Sequence, residues 1–288
     1  SLYNIIHAEG VTNTAGVPTI WLNLLKHTRE VDGNLDTLNH VIIGGSAAPG
    51  AMIKEFQDTY GTKVVHAWGM TEMSPLGSSG VLPPHIAKVT SDDEKFDLQV
   101  KQGHRVWGVD MKIVDDEENP QVHDGKARGH LVVRGPWITS GYYNNHDANE
   151  KAFTQDGWFY TGDIATIDPD SFLQLVDRSK DVIKSGGEWI SSIDLENEAV
   201  GAPGVSEAAV IGVAHPKWDE RPVLIIVPDD ADNPPSEDSI REFLSTRIAK
   251  WWMPDVIAFK NEIPHGATGK ILKTDLRDEF KDVLQDAG

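Results

Sequence analysis

The chain contains no cysteine. Disulfides, zinc–thiolate centres and a cysteine nucleophile are thereby excluded, and any thioester chemistry must take its thiol from a substrate. Basic residues are also scarce: 26 Lys and Arg stand against 45 Asp and Glu, a formal charge of -19. So acidic a surface repels nucleic acid and anionic lipid, and neither is expected as a partner. A phosphate site must then be local, built from a few cations and backbone amides. No apolar run reaches the length of a membrane span and no signal-peptide pattern opens the chain, so a cytoplasmic location is the expectation. No histidine pair has the spacing of a helical metal site, which leaves the 11 His as solvated or core residues.

What is present suffices for more than one domain in 288 residues. Residues 17–27 predict a helix with Ile20, Leu24 and His27 near one face. Residues 39–43 form a short apolar run ending at Gly44-Gly45, the pattern of a buried parallel strand. A second helix is expected over 49–60, with Pro49 in its first turn, and a second strand over 63–66. Residues 68–72 then fall in the loop past that strand's C-terminal end, where open α/β sheets bind ligands. From 82 to 176 the texture becomes β-like, with runs at 111–114, 130–134 and 172–176 broken by turns.

Beyond Asp177 the chain alternates again. Ser191 with Asp194 has the form of a helix cap. Strands are expected over 207–213, 223–227 and 256–259, with a Pro- and Asp-rich surface loop at 228–235. Ser236 caps a helix whose apolar face carries Ile240, Phe243, Leu244, Ile248 and Trp251. Ile271, Leu272, Leu276 and Phe280 suit a final helix.

Four polar segments carry the chemical signal. Asp177-Arg178-Ser179-Lys180-Asp181-Val182-Ile183-Lys184-Ser185-Gly186-Gly187-Glu188 is too charged for a core strand and reads as a loop or hinge. The others are Trp68-Gly69-Met70-Thr71-Glu72, Asp156-Gly157-Trp158-Phe159-Tyr160-Thr161-Gly162-Asp163 and Pro264-His265-Gly266-Ala267-Thr268-Gly269-Lys270. The last is not a Walker-type loop: Pro264 stands where its first glycine belongs, and Ile271 follows Lys270 in place of Ser or Thr. In this order the four resemble the motif series of the adenylate-forming superfamily, which comprises acyl-CoA synthetases, peptide-synthetase adenylation domains and luciferases.

The resemblance implies an α/β and α+β protein. Residues 1–176 would be the later part of a large AMP-binding domain. Within it, 1–80 is the remnant of a doubly wound α/β subdomain and 81–176 a β-rich, distorted-barrel subdomain. Residues 177–288 would be a small mobile domain hinged at Asp177. The implied reaction joins a carboxylic acid to ATP, expelling pyrophosphate, and passes the acyl group from acyl-AMP to CoA. Implied cofactors are ATP/AMP, Mg²⁺ and CoA.

Glu72 would hold the metal through oxygen and Thr71 a phosphate. Gly45, Ser46, Ala47, Trp68 and Gly69 would border the adenine, and His66 the nucleotide or the acyl pocket. Asp163 and Arg178 would hold the ribose. Lys270 would bridge the substrate carboxylate and the α-phosphate. In the second step Lys184, Ser185, Gly186, Gly187, Glu188 and Trp189 would replace it, with the glycines letting the pantetheine thiol pass close to the backbone.

The residues around Trp68 and Gly186 are most similar to bacterial medium- and long-chain fatty acyl-CoA ligases, with ligases of short thioether acids such as methylmercaptopropionate equally near. The family's Ser/Thr/Gly-rich phosphate loop does not occur, and the chain starts at Ser1 as if inside a domain. We therefore expect the C-terminal half of a longer enzyme, inactive alone in adenylation, whose full-length parent could be a homodimer. The alternative is a non-catalytic nucleotide- or CoA-binding fragment.

Overall fold

The structure, a computed structural model, describes residues 1–88, 91–266 and 271–285. Its first part alternates helix and strand: α1 (Leu2–Glu9), β1 (Asn13–Gly16), α2 (Pro18–Glu30), β2 (His40–Ile43), α3 (Gly50–Lys54) and β3 (Lys63–Gly69). The expected second helix is thus split, since α3 passes into a π-helical turn over Glu55–Thr59. Strands β1, β2 and β3 pair in parallel. Period-two alternation puts Val41, Ile43, Val64 and His66 on the face that the helices cover, where Trp21, Leu24, Leu25, Met52, Ile53 and Phe56 bury against it. Ile42, on the opposite face, is 41% exposed.

The chain then becomes mostly β, with β4 (Leu76–Ser79), α4 (Pro84–Ala87), α5 (Asp92–Gln99), β5 (Gly103–Arg105), β6 (Asp110–Val114), β7 (Gly129–Arg134), α6 (His146–Ala152), β8 (Phe159–Ile167) and β9 (Phe172–Arg178). These strands extend the parallel ones into a nine-stranded path, β1-β2-β3-β4-β5-β9-β8-β7-β6, antiparallel from β4 onward. The distorted barrel expected for 81–176 is not found. Edge strands β1 and β6 lie at opposite ends of the path, and no pairing closes it among the described residues.

The second sheet comprises β10 (Ile183–Ser185), β11 (Glu188–Ile190), β12 (Val205–His215), β13 (Asp219–Pro228) and β14 (Val256–Phe259). Helices α7 (Ser192–Val200), α8 (Glu237–Ser245) and α9 (Lys273–Phe280) complete this part. Strands β12 and β13 are buried on both faces, which is why they read as continuous apolar runs. Val210, Leu224 and Ile226 pack with α7 and α8, whereas Ala209, Ile211, Val223 and Ile225 pack with α9. No helix among the described residues is long and apolar enough to cross a membrane.

Two sequence expectations are corrected. Half of the polar stretch from Asp177 to Glu188 is strand: Asp177 and Arg178 finish β9, and β10 and β11 form a hairpin around Gly186-Gly187, while residues 179–182 turn between them as expected of a loop. The apolar face after Ser236 is also shorter, because α8 ends at Ser245 and the chain turns there, with Arg247 and Ile248 donating to Leu244 O. Ile248 still reaches the core, but Trp251 is 43% exposed.

Candidate nucleotide and thioester site

The candidate site gathers where the end of β3, with the end of β2 beside it, meets Asp163 on β8 and Arg178 on β9. Trp68 and Gly69 are the last residues of β3, so the expected loop begins two residues later than its sequence suggests. Glycine is required at position 69 by packing: a Cβ there would lie 1.9 Å from the carbonyl oxygen of Pro75. Gly44, just past β2, lies against this strand end, where an added Cβ would stand 3.3 Å from Ala67 O. Gly45 and Ser46 follow as exposed residues, with Ala47 half-buried.

Asp163 and Arg178 are register partners in the β8–β9 pair. Arg178 Nε lies 3.0 Å from Asp163 Oδ1, and the Trp68 indole N–H donates to Asp163 Oδ2 at 3.0 Å. Both oxygens of this buried carboxylate are thereby oriented, one from the adjacent strand β9 and one from β3. Trp68 itself is 6% exposed and packs in the core with Met73, Val133 and Phe159. Its rings belong to the protein interior as well as to the site.

Thr71 and Glu72 lie in a 3-10 turn, Thr71–Met73, directly after β3. The Tyr142 hydroxyl donates to Glu72 Oε1 at 2.9 Å, and Thr139 N donates to the Glu72 carbonyl at 2.8 Å. Burial and this carboxylate raise the Tyr142 phenol above its ordinary value, which keeps it a proton donor at neutral pH. Among the described residues no three or more His, Cys, Asp or Glu are placed to hold a metal by themselves. One carboxylate on a strand-end turn nevertheless suits Mg²⁺, which takes few protein ligands and completes its shell with phosphate oxygens and water.

His66 is 1% exposed and its Nδ1 lies 3.3 Å from Val100 O. Burial pushes the imidazole down to about 4, against smaller upward effects from backbone hydrogen bonds. At neutral pH it is an uncharged core group beneath the strand end.

Asp177 is 1% exposed, with Oδ1 accepting from Arg178 N at 2.8 Å and Oδ2 from Ser192 N at 2.7 Å. It joins the last strand of the first sheet to the first turn of α7. Burial raises its carboxyl, while Lys273 and these hydrogen bonds act in the opposite sense. Ser191 caps α7 as its sequence suggests, accepting from Asp194 N at 3.1 Å and donating to Val176 O at 2.5 Å.

The residues of the expected thioester segment form a hairpin of the second sheet. Gly186 and Gly187 take φ values of 59° and 84°, the left-handed conformations that close the β10–β11 hairpin. Lys184 and Glu188 are exposed, and Ser185 is buried with its Oγ accepting from Arg221. The hairpin's contacts run to Trp218, Asp219 and Glu220 on its own sheet. It also meets the first sheet through Arg128, which donates to Trp189 O at 2.7 Å and lies 5.9 Å from the Trp252 ring. Lys270 lies outside the described residues. Sequence reasoning passed over Tyr142, Arg128 and Lys273, whose partners sit on distant elements and leave no spacing signal.

The chain is similar to known proteins of one family along its length. Residues 1–143 match the AMP-binding enzyme family and residues 194–270 match the AMP-binding enzyme C-terminal domain. The chain is 50% identical over 284 residues to a 3-methylmercaptopropionyl-CoA ligase of Ruegeria lacuscaerulensis, covering 99% of this chain and 52% of that protein. It is 43% identical over 287 residues to a medium-chain-fatty-acid–CoA ligase of Ectopseudomonas oleovorans, covering 99% and 51%. The chain therefore spans about half the length of the curated relatives it matches. Among solved structures, ATP-bound MatB from Rhodopseudomonas palustris superposes with a TM-score of 0.81 at 26% identity, over 98% of this chain and 53% of that one. The apo form of the same protein, over the same shares, gives 0.68.

Proposed function

This chain belongs to the family of AMP-binding enzymes, and from that membership we infer that the full-length protein is an AMP-forming acid–CoA ligase. A carboxylate oxygen attacks the α-phosphorus of ATP and pyrophosphate leaves, giving acyl-AMP. The CoA thiolate then attacks the acyl carbon, and AMP departs with the bonding pair of the anhydride oxygen. The relatives favour two acid classes, short thioether acids first and fatty acids second.

The observation that carries this reading is the Asp163 carboxylate, fixed by Trp68 and Arg178 where β2 and β3 end. A buried, oriented carboxylate there can accept from both ribose hydroxyls. Gly45, Ser46 and Ala47 offer backbone for the adenine to approach. Thr71 contacts phosphate, and Glu72, steered by Tyr142, holds Mg²⁺. The metal, when bound, neutralises phosphate charge. Lys270 adds a compact cation on the developing charge between carboxylate and α-phosphate.

Asp177 serves as the pivot between residues 1–176 and 177–288, so that Lys270 and the Gly186-Gly187 hairpin take turns at one site. The closer likeness to ATP-bound than to apo MatB supports assigning the present arrangement to a nucleotide-bound state. Calorimetric titration of AMP into Asp163→Asn tests the ribose role. In a variant whose thermal melt shows it folded at the titration temperature, affinity should fall about tenfold or more, since a buried hydrogen bond to charge is worth about 1.5–3 kcal/mol. Unaltered affinity would remove Asp163 from the nucleotide site.

A further inference from the structure

Lys273 opens α9 with a largely buried side chain, 12% exposed, that the proposed chemistry does not use. Its Nζ lies 2.8 Å from Glu196 Oε1 and donates to Ser192 Oγ at 2.5 Å. Ser192 N in turn donates to Asp177 Oδ2 at 2.7 Å. A continuous polar path therefore runs from the end of β9, through the first turn of α7, to the first residue of α9. Farther along α9, Arg277 pairs with Asp181 at 2.7 Å, in the segment that connects the two sheets. Helix α9 is thus fastened at two points, once to the proposed pivot and once to the chain just after it.

Burying an ammonium is costly unless it is well paired. Burial alone would lower the Lys273 pKa, but Glu196 and Asp177 outweigh it and the group is held above its ordinary value. Burial also raises the Glu196 and Asp177 carboxyls, with Lys273 acting in the opposite sense, so the charges of this cluster depend on one another. An apolar side chain at position 273 could pack this end of α9 without such a cluster, so stability alone gives no reason for a buried cation here. Its place in the sequence does. Lys270 precedes Lys273 by three residues, and an extended chain of that length reaches at most about 11 Å. Fixing Lys273 fixes the chain at the start of α9, three residues on from Lys270.

We infer that Lys273 is a positioning residue for the adenylation step: through Ser192 and Glu196 it ties the Lys270-bearing segment to Asp177, so that rotation at the pivot carries Lys270 with it. This rests on the role proposed above for Lys270. A misplacement of about 1 Å at a reacting group can cost about a hundredfold in rate. The thioester step, which does not use Lys270, is indifferent to the tie.

The test uses the full-length protein and assays each half-reaction separately, with Lys270→Ala alongside Lys273→Met. Methionine keeps an unbranched apolar side chain and removes the charge. A second variant, Lys273→Met with Glu196→Gln, avoids a stranded buried carboxylate should the single change impair folding. In a folded Lys273 variant, kcat for acyl-AMP formation should fall about tenfold or more with KM for ATP little moved. Thioester formation from supplied acyl-AMP should stay within about twofold, and Lys273→Arg should restore part of the loss. Hydrogen exchange should rise in peptides spanning 191–197 and 271–278 but not in β12 and β13.

Equal loss of both half-reactions in a folded variant, or no loss of either, overturns the inference. If Lys270→Ala itself keeps full acyl-AMP formation, the functional reading falls first and this inference with it. If Lys270→Ala abolishes that step while Lys273→Met leaves it intact, only the inference falls.

Discussion

Trp68 and Asp163 stand 95 positions apart in the chain, yet the Trp68 indole N–H donates to Asp163 Oδ2 at 3.0 Å. This bond stitches the end of the parallel strands to the antiparallel part of the same sheet. It also sets the direction of a buried carboxylate that Arg178 holds from its other oxygen.

Trp68→Phe removes the donor while keeping an aromatic ring. A buried acceptor that loses one partner costs about 1–3 kcal/mol, and the smaller ring adds a modest cavity term. Urea unfolding should lose about 2–3 kcal/mol, and AMP affinity should fall as Asp163 loses its fixed direction. Lost stability with unchanged AMP binding would make the bond purely structural.

Two glycines of the candidate site should respond in opposite ways to alanine. At Gly69 the new Cβ would overlap Pro75 O, so Gly69→Ala must shift backbone and should cost more than about 3 kcal/mol. At Gly187 an added Cβ meets nothing within 4 Å, so only the left-handed backbone is penalised, by about 1–2 kcal/mol. Gly187→Ala should therefore stay folded and, under the proposed function, lose the thioester step selectively. Thermal melts of the two variants, with thioester assays of the second, check both halves.

The fold was legible where local rules decide it. Ser191 and Ser236 cap helices as their sequences announce, and the apolar runs now in β12, β13 and β14 are strands. The strand residues within 177–188 were not legible because their charges are satisfied by residues far away. Asp177 is answered by Ser192 and Arg178 by Asp163, so a charged segment can finish a buried strand. Composition records the charge but not the partner. For the same reason Asp163 and Glu72 were singled out only through motif resemblance, and Tyr142, Arg128 and Lys273 were not singled out at all. The helix Asp92–Gln99 was passed over for a different reason: it has no buried residue and hence no apolar period to detect, although Ser91 and Glu94 form a capping box.

The pH dependence of stability should contain two opposed contributions in overlapping windows. His66 titrates at about 4 in the fold and about 6.5 unfolded. Between those values only the unfolded chain takes the proton, so this stability is complete above pH 6.5 and lost on acidification toward pH 4. Asp194, raised to about 6 chiefly by burial, does the reverse. There the folded state holds the extra proton, and stability is lost as pH rises from about 4 to about 6. His66→Gln should flatten the acid loss by up to about 3 kcal/mol. Asp194→Asn should raise stability at pH 8 and leave it unchanged at pH 4. Urea titrations at pH 4.5, 6 and 8 distinguish the two, and parallel profiles for wild type and both variants would contradict the burial argument.

The most direct test of the central claim is ATP–pyrophosphate exchange by the full-length protein and its Lys270→Ala variant. The acids are methylmercaptopropionate, octanoate, palmitate and acetate. Acid-dependent exchange, strongest with the thioether or a fatty acid and abolished in the variant, is the result expected of an AMP-forming acid–CoA ligase with Lys270 at its first step. Absence of exchange with every acid, under conditions where AMP binds, would contradict it and leave a nucleotide-binding protein without ligase activity.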